Sequence, residues 1–135
     1  MDYNPYLFKP KVLFRNNFFQ TAMGSFISGN ARLPERKLHK VLVGQIEKLI
    51  LCELSSSNPD APIILMAHGM GGSSEAGYMK RIARKFWIRG FTVFMMNQRG
   101  SGLGMGLSDR LWNGGRSDDV GNVINYILKI YSSNS

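Results

Sequence analysis

The segment His68-Gly69-Met70-Gly71-Gly72-Ser73-Ser74 carries the sharpest chemical signal in the chain. It follows an apolar run, 62–67, and precedes a stretch with helical spacing. Glycines let a backbone turn tightly and turn its N–H groups outward. Where a strand runs into a helix N-terminus, such groups and the helix dipole can hold a developing negative charge. The chemistry predicted is oxyanion stabilisation in acyl transfer, with the backbone N–H groups as donors. The plain alternative is a tight strand-to-helix turn with no chemistry.

A nucleophile to go with that loop is missing. No serine lies in G-x-S-x-G: Ser108 has Gly106 two residues before it but Arg110 two after. Ser73 and Ser74 belong to the oxyanion-type turn itself. His39 and His68 are the only histidines. His39 sits in a basic stretch and is expected to be solvated. His68, at the end of a buried strand, is expected to be a hydrogen-bonded structural residue, since neither a nucleophile nor an orienting acid stands beside it. Cys52 is the single cysteine, which rules out an internal disulfide and a cysteine-based zinc site. Its apolar surroundings, Leu49-Ile50-Leu51-Cys52, predict a buried, inert thiol. Two distant histidines and no dense carboxylate cluster argue against any metal site. Nucleotide loops are excluded as well. G-x-x-x-x-G-K-[ST] is absent, and neither Gly69 nor Gly100 begins a G-x-G-x-x-G. The alternating glycines from Gly100 to Gly106 predict a pliable surface loop.

The elements that must position the loop follow from periodicity. Runs 38–43 and 48–54 are β-rich and joined through Gly44-Gln45-Ile46-Glu47, which predicts a hairpin. Run 62–67 is nearly continuously apolar, the pattern of a strand buried on both faces of a parallel sheet. Ser73 or Ser74 is the expected cap of the next helix. Met79, Ile82, Ala83 and Phe86 form its apolar stripe, with Lys80, Arg81, Arg84, Lys85 and Arg89 mainly opposite and Gly90 at its end. Run 91–96 is a second apolar strand. Ser117 with Asp118 and Asp119 opens a last helix, whose apolar stripe is Val120, Val123, Ile124, Ile127 and Tyr131. Strand–helix–strand–helix implies a βαβ unit with a right-handed crossover.

The 135 residues are 44% hydrophobic and 19% charged, ordinary for one globular domain. A net charge of +8 is compatible with anionic partners. Its basic helix lacks the interleaved aromatics that a nucleic-acid stacking platform needs, so no nucleic-acid partner is expected. The start, Met1-Asp2-Tyr3-Asn4-Pro5, does not resemble a secretory signal, and no run approaches the length of a membrane span, so a cytoplasmic protein is expected. The aromatic-rich first 34 residues read as an arm, and 35–135 as an incomplete core domain.

Several segments taken together resemble the YheT-like branch of the α/β-hydrolase superfamily. They are Phe8-Lys9-Pro10, Arg15-Asn16-Asn17 with Gln20-Thr21, the strand and loop from Pro62 through His68-Gly69-Met70-Gly71-Gly72-Ser73-Ser74 to Tyr78, Gly90 with Met96-Asn97-Gln98-Arg99-Gly100, and Arg110-Leu111-Trp112-Asn113-Gly114-Gly115 with Asp118-Asp119. They occur in the family's order and cover nearly the whole chain. Met70 and Gly71 replace a usual leucine and acidic residue, and Trp112 a usual tyrosine.

The resemblance implies an α/β fold that is only partial. It would be a mixed sheet of about four strands with helices on its faces, lacking the nucleophile-elbow strand and everything after it. It also implies a carboxylester hydrolase or acyltransferase with a Ser–Asp–His triad and no cofactor. Met70 would supply an oxyanion N–H, with His68, Gly69, Gly71 and Gly72 shaping the loop. The triad residues would all lie beyond Ser135, and losing them costs on the order of a million-fold in kcat. The chain alone is therefore expected to be inactive, a truncated hydrolase. One alternative is half of a split enzyme whose partner is the missing C-terminal part. Another is a non-catalytic binding module. The open sheet edge left by the missing strand predicts marginal stability or self-association.

Overall fold

The computed structural model describes residues 31–132, with Val12 and Asn16. Four strands, two α-helices and one 3₁₀ turn follow in chain order. They are β1 (Lys37–Leu42), β2 (Lys48–Leu54), β3 (Ile63–Ala67), α1 (Gly77–Ile88), β4 (Thr92–Asn97), the 3₁₀ turn (Gly102–Gly104) and α2 (Ser117–Ser132). The arm expected over 1–34 lies outside the described residues except for Val12, Asn16 and 31–34, where Leu33 packs against the core.

The sheet order is β1-β2-β4-β3. β1 and β2 are the expected antiparallel hairpin, closed by a bond from Val43 N–H to Glu47 O of 2.9 Å. β2 pairs antiparallel with β4, and β3 pairs parallel with β4 in the register Ile64 to Val93 and Leu65 to Phe94. The mixed four-stranded sheet with helices is therefore present.

Strand period two sorts the core into two layers. Leu49, Leu51, Phe94 and Met96 face α2, where they meet Val123 and Ile127. Ile50, Cys52, Val93 and Met95 face α1, where they meet Met79 and Ala83. A sheet with helices on both faces explains why β2 and β4 read as continuous apolar runs.

Several details depart from the sequence reading. β3 is equally apolar, yet it is half-buried through its middle and exposed at both ends. It is an edge strand, bonded only to β4, so one side has no neighbour among the described residues. The α1 N-cap is Ala76, with no side-chain cap; Ser74 is fully buried and bonded elsewhere. Ile82, Val120 and Ile124 are exposed, and Tyr126 and Ile130 complete the packing of α2 in place of the last two. Gly90 does end α1, at φ 89°. The glycine-alternating segment reaches the surface at Leu103, Met105 and Gly106, as expected, but it also carries fixed structure. It holds the 3₁₀ turn, Gly104 is buried, and Lys48 N–H donates to Leu107 O at 3.0 Å.

Candidate functional site

The loops leaving β3 and β4 meet at the C-terminal ends of two adjacent parallel strands, where open α/β sheets hold their ligands. His68 is buried and bridges them. Gln98 N–H donates to His68 Nε2 at 3.1 Å, and Gln98 Nε2 donates to His68 O at 2.8 Å. A backbone N–H can only donate, so Nε2 is the acceptor and Nδ1–H donates to Gly69 O at 2.8 Å. Both ring nitrogens are thus engaged in fixing the turn, as expected of a structural histidine.

The remaining N–H groups of the loop divide into tied and free. Gly69 N–H donates to Tyr78 Oη at 2.8 Å, and Gly72 N–H to Gly69 O at 3.0 Å. Ser74 N–H donates to Asn97 Oδ1 at 2.9 Å, and Glu75 N–H to Ser73 Oγ at 3.2 Å. The N–H groups of Met70, Gly71 and Ser73 have no hydrogen-bond partner among the described residues. Met70 is 87% exposed at the tip of the turn. Gly71 takes a left-handed φ of 69°, which a side chain would strain.

Asn97, at the end of β4, was not singled out by sequence reasoning, yet it ties the site to the sheet. Its Nδ2 donates to Ser74 Oγ at 3.0 Å, and more weakly to Ile50 O at 3.4 Å and Cys52 Sγ at 3.6 Å. Cys52 is buried, as expected. A Cβ on Gly102 would come within 2.6 Å of both Asn97 Oδ1 and Ser73 Cβ. Glycine there lets the second loop press against the first.

Arg99 anchors the second loop from below. Its Nε and Nη2 donate to the two Asp119 oxygens at 2.7 and 2.6 Å, and it also bonds Glu47 and Val43 O. The Asp119 carboxylate, with Glu47, raises the guanidinium pKa beyond its ordinary value despite burial, so the charge is permanent. Asp119 therefore serves this pair as well as the helix terminus. A cleft of about 670 Å³ lies beside Arg99, lined by Glu47, Arg110, Arg116 and Asn122, and does not include the 68–74 loop.

His39 is a correction. Expected in solvent, it is buried against α2. The Glu53 carboxylate can only accept, so His39 Nε2–H donates to it at 2.6 Å, while Nδ1 meets Tyr126 Oη at 3.0 Å. Ser55 and Tyr131 hydroxyls also donate to Glu53. Burial pushes the Glu53 carboxyl upward, but the bonds from Ser55, His39 and Tyr131 outweigh it and leave the pKa below its ordinary value. A β-strand histidine two residues from a lysine gave no sequence sign of this pairing.

Among the described residues no group of three His, Cys, Asp or Glu side chains could hold a metal ion. No helix among them is long and apolar enough to cross a membrane.

No family model matches the sequence. A Dictyostelium discoideum protein described as abhydrolase domain-containing is 28% identical over 131 residues, covering 93% of this chain and 33% of that one. An Agrobacterium tumefaciens protein of unknown function, described as an α/β hydrolase, superposes with TM-score 0.57 at 19% identity. It covers 73% of this chain and 44% of its own length is matched. An α/β serine hydrolase homologue from Coxiella burnetii gives TM-score 0.55 at 17% identity, with 75% and 49% covered. The fold is part of an α/β-hydrolase fold. The chain spans about a third of the curated relative and under half of these two structures. Within the α/β-hydrolase fold so matched, the loop leaving β3 holds unpaired backbone donors at a strand's C-terminal end ahead of a helix.

Proposed function

We propose that these residues are the oxyanion-loop portion of a serine carboxylester hydrolase-like protein of the YheT-like branch. Met70 N–H is the donor to the tetrahedral oxyanion, and His68, Gly69, Gly71 and Gly72 hold the turn. The serine, acid and histidine are supplied by polypeptide outside these 135 residues, so the chain alone is inactive. That polypeptide adds a strand beside β3 and closes the acyl site. Ester substrate is bound only then, and no cofactor takes part. Residues 1–34 form an arm on the 35–135 core, and the protein works in the cytoplasm.

The observation that carries the reading is the pattern of donors. Gly69, Gly72 and Ser74 spend their N–H groups on fixing the loop, while Met70, Gly71 and Ser73 keep theirs, Met70 at the exposed tip. Free donors at the two central positions are general to a β-turn; their place at the C-terminal end of β3, ahead of α1, is what suits these two to an oxyanion. A preorganised donor is worth about 10²–10³ in kcat.

The test mixes the purified chain with the polypeptide encoded immediately downstream, in any frame, and follows p-nitrophenyl ester hydrolysis. Met70→Pro removes the N–H and should lower the rate of the mixture by about 10²–10³. Met70→Ala keeps the N–H and should leave it nearly unchanged. Equal rates for both variants in an active mixture would refute the assignment of Met70. An inactive mixture would favour a relic or a binding module, the two readings without a working triad.

A further inference from the structure

The outward face of α1 has a composition that packing does not explain. Gly77–Ile88 contains no acidic residue, and Arg89 follows directly. Met79 and Ala83 turn inward to the sheet, while Arg84, Lys85 and Arg89 are exposed. Ile82 and Ile88 lie among them, 42% and 58% exposed. With 3.6 residues per turn, positions 81, 84, 85 and 88 share one strip and 82, 85 and 89 the adjoining one. No ion pair among the described residues involves Arg84, Lys85 or Arg89. Glu75, just ahead of the helix, is already bonded to Arg36 and Lys80. Arg89 Nη1 donates to Lys85 O at 2.9 Å, which lays its charge along the last turn.

We propose that this face docks onto an anionic lipid surface. Arg84, Lys85 and Arg89 meet the headgroup phosphates and carboxylates, and Ile82 and Ile88 enter the boundary between headgroups and acyl chains. Charge complementarity fixes the sign of the partner. The apolar members of the strip decide its class. Aliphatic side chains gain by leaving water for the lipid interface. The one exposed ring on this strip is Tyr78, 40% exposed and tied through Oη to Gly69 N–H, and a single ring is less than a platform for successive bases. The face is independent of the 68–74 loop, so the inference stands or falls apart from the proposed acyl chemistry.

The experiment is flotation of the full chain with vesicles in a density gradient, which separates lipid-bound protein from aggregate. Vesicles are phosphatidylcholine alone or with about a third phosphatidylserine. The chain should float only with the anionic vesicles at low salt. It should be released at about 0.5 M salt, where the screening length falls to a few Å. Arg84→Glu with Lys85→Glu and Arg89→Glu should weaken binding on the order of 100-fold, at roughly fivefold or more per cation. Lys37→Glu with Lys40→Glu and Lys48→Glu reverses three exposed hairpin charges to the same net charge, and should weaken binding less than about fivefold. Ile82→Ser with Ile88→Ser should weaken vesicle binding without changing any binding to single-stranded RNA. Circular dichroism of each variant must match the parent. Failure of the parent to float, equal loss from the two charge reversals, or RNA binding that alone depends on the α1 cations would overturn the inference.

Discussion

β2 and β3 are built from the same kinds of residue and live in different surroundings. Lys-Leu-Ile-Leu-Cys-Glu-Leu in β2 is buried from its second residue to its last. Ile-Ile-Leu-Met-Ala in β3 is nowhere fully buried. The difference is position in the sheet, not hydropathy. β2 has strands on both sides and helices on both faces, whereas β3 has β4 on one side only. The hairpin side of the molecule also holds most of the buried ionisable groups, although Arg116 Nε, in the cleft beside Glu47, is buried with no hydrogen-bond partner among the described residues. His39, Glu53, Arg99 and Asp119 are all buried and all satisfied there. On the β3 side the backbone donors of Met70 and Gly71 remain unspent. In strand pairing one half of the molecule is finished, and the other keeps an unpaired strand edge among the described residues.

The largest effect should come from breaking the finished half. Asp119→Ala takes the two-point carboxylate partner from the buried Arg99 guanidinium and leaves it Glu47 and Val43 O. Losing one partner of a buried pair costs about 3–5 kcal/mol, read as a lower urea midpoint or as failure to fold. An Asp119→Ala chain as stable as the parent would show the pair to be dispensable.

Next, Leu51→Ala on β2 should cost about 3 kcal/mol, against under about 1 kcal/mol for Ile63→Ala on β3. Comparable losses would mean that β3 is as enclosed as β2 in solution.

Acid should act on the hairpin side too. Because the folded Glu53 pKa lies below its ordinary 4.5, its stabilisation is complete above that pH and is lost as pH falls through the lowered value. Glu53→Gln should flatten this part of the acid limb of a stability–pH profile. An unchanged acid limb in that variant would remove Glu53 from the account.

The smallest stability change should be that of Ile63→Lys, within about 0.5 kcal/mol, because the position is 38% exposed. Its effect belongs to association: a lysine on an open edge discourages strand addition. Sedimentation velocity should show less self-association than in the parent chain. A parent chain that sediments as a monomer and melts cooperatively would contradict the open edge as a liability.

Much of this was legible in the sequence because local patterns carried it. The hairpin announced itself through Gly44, and α1 ended at Gly90 as its type suggests. His68 is buried and hydrogen-bonded at both ring nitrogens, which a histidine between an apolar strand and a glycine turn suggests. What could not be read were partnerships across the chain. Nothing near His39 announces Glu53, and nothing near Asn97 announces Ser74, since strand order alone brings them together. The incomplete burial of β3 was unreadable for a related reason. An apolar run reports that a strand suits a buried place, not whether its neighbour lies among the same residues.

The most direct test of the central claim is labelling of the purified chain with a fluorophosphonate, which modifies an activated serine. The account predicts no labelling of any serine in residues 1–135, with labelling in the mixture confined to the complementary polypeptide. A labelled serine in this chain alone, with ester hydrolysis lost when that serine is replaced by alanine, would contradict the claim that the oxyanion loop is here without its nucleophile.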